Sequence, residues 1–209
     1  MPATSPPPIL GVLLAAGKSR RMGGGDKCLK DLAGKTILAR VIERAHPQVA
    51  ELVLVANGDP ARFAEYAIPV IQPSLIEGQD RPLVTVLAGM EWAAVHRPDL
   101  PWVASFATDM PFFPTDLVKR LFAAMQAKKA DIVFAESGEL SYVVFALWSM
   151  LVAGPLRQGL TGEVANLESR FRQFIVRFPA APVPPFFNIN TPEDLAEAER
   201  LLKEHGEPR

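Results

Sequence analysis

Cysteine is nearly absent. The single Cys28 leaves no partner for an internal disulfide, which fits a reducing cytoplasm. Histidine is scarce too: His46, His96 and His205 lie far apart without companion cysteines, so no zinc-ligand spacing exists. An excess of either charge is also missing. The formal net charge of -1 argues against a protein that coats nucleic acid, which needs a strongly basic surface. Long apolar runs are lacking as well: Ile9–Ala16 falls far short of the roughly 20 residues that cross a bilayer. That run has no basic segment before it, and Lys18-Ser19-Arg20-Arg21 follows directly, so it is not built as a signal peptide either. The expectation is a cytoplasmic protein with neither a nucleic-acid nor a membrane partner.

What remains is an ordinary globular balance. The 209 residues, 49% hydrophobic and 22% charged, suit one α/β domain with a sizeable core. Residues 1–8, with Pro2, Pro6, Pro7 and Pro8, read as a disordered leader, and 9–205 as a single domain. Ile9–Ala16 reads as a first strand buried on both faces, because an unbroken apolar run is what such a strand requires. Further strands are expected at Leu52–Ala56, Trp102–Ala107, Asp131–Ala135, Tyr142–Leu147 and Phe174–Phe178. Helical patterns cover Ile37–Ala45, Leu83–Val95, Asp116–Ala127 and a stretch near Leu151–Gln173. A last helix starts at Thr191, a natural N-cap, followed by Pro192, Glu193 and Asp194, with Leu195, Ala198, Leu201 and Leu202 as its apolar stripe. This alternation implies a mainly parallel sheet covered on both faces. Ligands of such sheets bind beyond the carboxyl ends of strands near a switch in strand order, which selects the loops after Leu14, Ala56 and Ala107.

The first of these loops is Leu14-Ala15-Ala16-Gly17-Lys18-Ser19-Arg20-Arg21-Met22-Gly23-Gly24-Gly25-Asp26-Lys27. Glycines let backbone N–H groups converge on phosphate oxygens, while Arg21 and Lys27 neutralise charge on a triphosphate and on its α-phosphorus during displacement. Two better-known nucleotide motifs are absent. Gly11 to Gly17-Lys18-Ser19 misses the P-loop spacing by one residue, Gly34-Lys35-Thr36 lacks the upstream glycine, and no G-x-G-x-x-G follows the strand. On residue chemistry alone a glycine-rich surface loop with incidental basic residues stays open.

The second chemical feature is acidic. Trp102–Ala107 ends at Thr108-Asp109-Met110-Pro111, where a lone carboxylate suits Mg²⁺, an ion that takes one or two protein oxygens plus substrate phosphates and water. The bland reading is that Asp109 caps a turn before Pro111. Asn188 and Asn190 flank Ile189 before the last helix, so on an extended segment both amides would share a face; alternatively Asn190 simply helps start that helix.

The string Leu14-Ala15-Ala16-Gly17 through Gly23-Gly24-Gly25-Asp26-Lys27 closely resembles the signature of the molybdenum cofactor guanylyltransferase (MobA-type) family. The likeness continues in Ala56-Asn57-Gly58-Asp59-Pro60, Thr108-Asp109-Met110-Pro111-Phe112, Phe145-Ala146-Leu147-Trp148 and Phe187-Asn188-Ile189-Asn190-Thr191-Pro192-Glu193-Asp194-Leu195. This resemblance implies a Rossmann-like three-layer nucleotidyltransferase fold and transfer of GMP from GTP to the phosphate of a molybdopterin-type acceptor. It further implies nucleotide binding by Leu14, Ala15, Ala16, Gly17, Lys27, Asn57 and Asp109, with Mg²⁺ on Asp109. Arg21, Lys27 and Asp109 are then the catalytic residues, and Arg21, Asn188 and Asn190 the acceptor-side ones. Implied partners are molybdenum-cofactor biosynthesis proteins and the molybdoenzymes that receive the product.

Several positions depart from that family. Ala16 replaces a glycine, as in cytidylyltransferases and sugar-nucleotide enzymes. Arg81-Pro82-Leu83-Val84-Thr85 replaces Gly-Pro-Leu-Ala-Gly beside the nucleoside, Tyr142-Val143 replaces His-Pro, and Val164-Ala165 replaces a pair of arginines. A cytidylyltransferase, a sugar-phosphate nucleotidyltransferase and a non-catalytic nucleotide-binding relative are the alternatives left open.

Overall fold

The computed structural model describes residues 8–17, 26–73, 82–161, 170–180 and 182–208. Almost all of the expected leader lies outside them.

Strand β1, Ile9–Leu14, occupies the middle of the structure, and its alternation explains the unbroken apolar run. Ile9 and Leu13 point into one core with Leu52, Leu54 and Phe106, while Leu10 and Val12 point into the other with Val53, Val55 and Val103. Both faces are therefore dry, as an interior parallel strand requires. A small antiparallel pair, β2 (Asp31–Leu32) and β3 (Lys35–Thr36), turns through Ala33 and Gly34, both at positive φ, and leads into helix α1. Helix α1, Ile37–Ala45, starts where the Thr36 side chain accepts from the Ala39 N–H at 3.1 Å. The Gly34-Lys35-Thr36 string is thus a turn and a helix cap.

Strands β4 (Glu51–Val55), β5 (Val70–Ile71), β6 (Trp102–Ala107), β7 (Ile132–Ser137), β8 (Leu140–Ser149) and β9 (Gln173–Phe178) complete one sheet. Its order is β5-β4-β1-β6-β8-β7-β9. Every pairing is parallel except those of β8, which runs against both β6 and β7. Helices α1 and α3 (Leu117–Lys128) cover one face, and α2 (Pro82–His96) and α4 (Ala153–Leu160) cover the other. Helix α5, Pro192–His205, packs Ala198 and Leu201 on a satellite core with Leu32, Ile37, Phe112 and Ile189. The expected mainly parallel, three-layer α/β fold is present.

Two expectations change. Within the helical stretch expected near Leu151–Gln173, a 3-10 turn at Met150–Val152 leads into α4, which ends at Leu160, and Gln173 opens β9, while residues 162–169 lie outside the described ones. The short strands β2, β3 and β5 carry no periodic signal of their own and were not anticipated. Helix α2 lies close against β1 because Gly89 has no side chain; a Cβ there would come within 2.4 Å of Val12 Cγ2.

Candidate active site

Strand β1 lies between β4 and β6, and Leu14 is in register with both Val55 and Ala107. The loops leaving these three strands therefore open side by side, at the point where successive connections diverge to opposite sides of β1. Two hydrogen bonds hold them together: the Ala15 N–H donates to the Val55 carbonyl at 2.9 Å, and the Thr108 hydroxyl to the Leu14 carbonyl at 3.0 Å. The Asn57 side-chain amide adds a bond to the Ala16 carbonyl at 2.6 Å. Between them lies a cleft of about 110 Å³ lined by Leu14, Ala15, Gly17, Asp26, Lys27, Cys28, Thr108 and Asp109.

Lys27 opens the 3-10 turn Lys27–Leu29, whose Cys28 is anchored in the core, and this turn aims the lysine at the loop after β6. Its Nζ donates to Asp109 Oδ2 at 2.6 Å and to Asn190 Oδ1 at 2.7 Å. The two charged side chains are only 15% and 23% exposed, so solvent screens the pair far less than a surface ion pair. Removing either partner leaves a poorly solvated charge behind. Asp109 is fixed from the other direction, because its carbonyl accepts from the Ile189 N–H at 2.9 Å.

The segment before α5 supplies the third side. Ile189 is fully buried, and the capping box of α5 fixes the two residues after it. Asp194 Oδ2 accepts from the Asn190 and Thr191 N–H groups at 2.8 and 2.9 Å, and the Asp194 N–H donates to the Thr191 hydroxyl. The backbone of Asn190 thus belongs to the helix start, as one of its two readings had it, while its side chain accepts from Lys27. The Oδ1 of Asn188 is buried and finds no hydrogen-bond donor among the described residues.

Of the expected site residues, Leu14, Ala15, Gly17, Lys27 and Asp109 line this cleft, and Asn190 reaches it through Lys27. Ala16 and Asn57 meet beside it. Arg21 lies outside the described residues, as do Lys18, Arg81 and residues 162–165. Sequence reasoning missed Arg62, whose guanidinium grips the Asp26 carboxylate. The string Asn57-Gly58-Asp59-Pro60 pointed to that stretch but stopped short of it. Burial pushes the Cys28 thiol up to about 12, and the neighbouring Asp26 charge adds to this, so the cysteine is a neutral wall of the cleft.

No group of three or more His, Cys, Asp or Glu gathers to hold a metal among the described residues. Hard oxygen donors do meet here, the Asp109 carboxylate and the Asn190 amide oxygen. One carboxylate with neutral oxygens suits a hard divalent cation that draws its other ligands from phosphate and water, so the residues fit such an ion.

Relatives of known type share this arrangement of sequence and fold. A molybdenum cofactor guanylyltransferase from Rhodopseudomonas palustris is 47% identical over 205 residues, covering 96% of this chain and 97% of that protein. One from Bradyrhizobium sp. is 48% identical over 197 residues, covering 92% of each. Among solved structures, the molybdopterin-guanine dinucleotide biosynthesis protein A of Archaeoglobus fulgidus matches the fold with a TM-score of 0.72 at 21% identity, over 93% of this chain and 99% of that one. The MobA-like NTP transferase domain matches residues 11–177, from β1 through most of β9, and this chain belongs to that family.

Proposed function

We propose that the protein transfers GMP from GTP to the terminal phosphate of molybdopterin, or of its molybdenum-loaded form, with release of pyrophosphate. The observation that carries this reading is Lys27 held between Asp109 and Asn190 at the mouth of the first loop. A phosphate oxygen of the acceptor attacks the α-phosphorus, a new P–O–P bridge forms, and the bond to pyrophosphate breaks. An ionised phosphate needs no general base, so catalysis rests on positioning and charge neutralisation.

In this reading Leu14, Ala15, Ala16, Gly17 and Asn57 bind the nucleotide, and Lys27 and Arg21 meet its phosphates. Asp109 holds Mg²⁺, which when bound supplies charge neutralisation at the phosphates. Asn188 and Asn190 face the acceptor, and the buried Oδ1 of Asn188, without a donor among the described residues, supports a polar ligand on that side. The two relatives at 47% and 48% identity support guanine as the base despite Ala16. Within this reading the enzyme is cytoplasmic and hands its product to molybdenum-cofactor biosynthesis proteins and recipient molybdoenzymes.

The test is pyrophosphate release with Mg²⁺, molybdopterin and each nucleoside triphosphate in turn. GTP is expected to be preferred, with release dependent on the pterin; CTP preference or dependence on a sugar phosphate overturns the assignment. Asp109→Ala is expected to lower turnover about a hundredfold or more, because a charge-neutralising group at the reacting phosphates is removed. Near-normal magnesium-dependent turnover in that variant would sink the role given to Asp109.

A further inference from the structure

The loop after β4 grips the first loop at both of its ends. At the near end, the Asn57 amide donates to the Ala16 carbonyl at 2.6 Å. At the far end, Arg62, in the 3-10 turn Pro60–Tyr66, points Nε and Nη2 at the two oxygens of Asp26. The same guanidinium donates to the carbonyls of Asn57 and Asp59, which locks it to its own loop. It also lies 4.5 Å from the ring centroid of Phe63, a fully buried side chain. Gly58, at φ +78°, leaves room for it, since a Cβ there would stand 3.3 Å from Nη1. Nearly every donor of Arg62 is thus directed, and the target outside its own loop is the residue immediately before Lys27.

Asp26 lines the same cleft as Lys27 and Asp109. A carboxylate there repels an incoming triphosphate, and in a site of restricted solvent access that repulsion is poorly screened. A planar guanidinium set in two-pronged contact offsets the charge and fixes the backbone carrying it. We propose that Arg62 is a positioning residue for the nucleoside triphosphate: through Asp26 it sets the far end of the first loop, and with it Lys27, and it offsets the charge of Asp26 beside the phosphates. This rests on the reading of residues 14–27 as a triphosphate loop.

The experiment is calorimetric titration of GTP with Mg²⁺ and no acceptor, alongside steady-state kinetics and melting temperatures. A wild-type protein that binds no nucleoside triphosphate overturns the triphosphate-loop reading itself. Given wild-type binding, Arg62→Ala is expected to weaken GTP affinity about tenfold or more, the scale of a lost charged hydrogen bond, with KM rising more than kcat falls. Arg62→Lys, which keeps the charge but not the fork, is expected to recover part of the loss. Adding Asp26→Asn to Arg62→Ala is expected to restore part of the affinity, because the uncompensated carboxylate is gone although the fork that positions the loop is not replaced; a merely structural role predicts no such rescue. Affinity unchanged in Arg62→Ala, or no recovery in the double variant, overturns the proposal. If Arg62→Ala does not fold, Arg62→Lys decides: a several-fold loss supports the proposal, and wild-type affinity overturns it.

Discussion

Cys28 and Lys27 are neighbours in one short turn, yet their surroundings differ sharply. Lys27 keeps its ammonium among oxygens, whereas Cys28 is pressed into the core between the strands and α1. Burial, with the Asp26 charge behind it, raises the thiol from its ordinary value near 9.0 to about 12. The unfolded chain therefore releases that proton at a lower pH than the folded one. Between pH 9 and 12 the unfolded state binds fewer protons, so this contribution to stability is present below about 9 and is lost as pH rises toward 12. Thiol-reactive reagents at mildly alkaline pH are expected to leave the folded protein unlabelled and to label it once denatured. Rapid labelling of the native state at the rate of a free thiol would contradict the packing described. Lys27 and Asp109 could both be singled out in sequence, because a cation in a glycine loop and a carboxylate after a strand are local features, and the fold brings the two together. Arg62 was not. Its meaning depends on Asp26, brought to it only by the fold.

At the level of elements, the last helix was the most readable, and its start positions one side of the site. Thr191, Pro192 and Asp194 state a helix start in sequence, and the structure shows the full reciprocal capping box. The same carboxylate that completes the cap also takes the Asn190 N–H, so the helix start positions the amide that meets Lys27. Thr191→Ala is expected to lower stability by about 1 kcal/mol, the usual cost of a lost N-cap, measured as a shift in urea midpoint without change in slope. Helix α4 was less readable. Leu156 and Leu160 give it an apolar face, but Gly154, Pro155 and Gly159 blur its limits in sequence. Strand β8 was found with its direction unread, since parallel and antiparallel strands with buried faces share one apolar pattern.

Across the whole molecule, the sheet order decides which loops meet, and alternation of strands and helices foretold the layers but not that order. Helix α2 sits close on the central strand β1, and Gly89 permits this. Gly89→Ala is expected to destabilise the protein by about 1–3 kcal/mol, because the methyl meets Val12, a stiff β-branched side chain that cannot swing aside. Chemical denaturation measures this directly, and an unchanged midpoint would show that α2 is not so tightly seated.

Lys27 is held by groups 82 and 163 residues further along the chain. In a growing chain the glycine-rich signature emerges early, and two groups that hold its lysine, Asp109 and Asn190, follow much later. A nascent chain can therefore carry the complete motif before either of these contacts exists. The motif is continuous in sequence, but the contacts that fix its lysine exist only once distant parts of the chain have folded together.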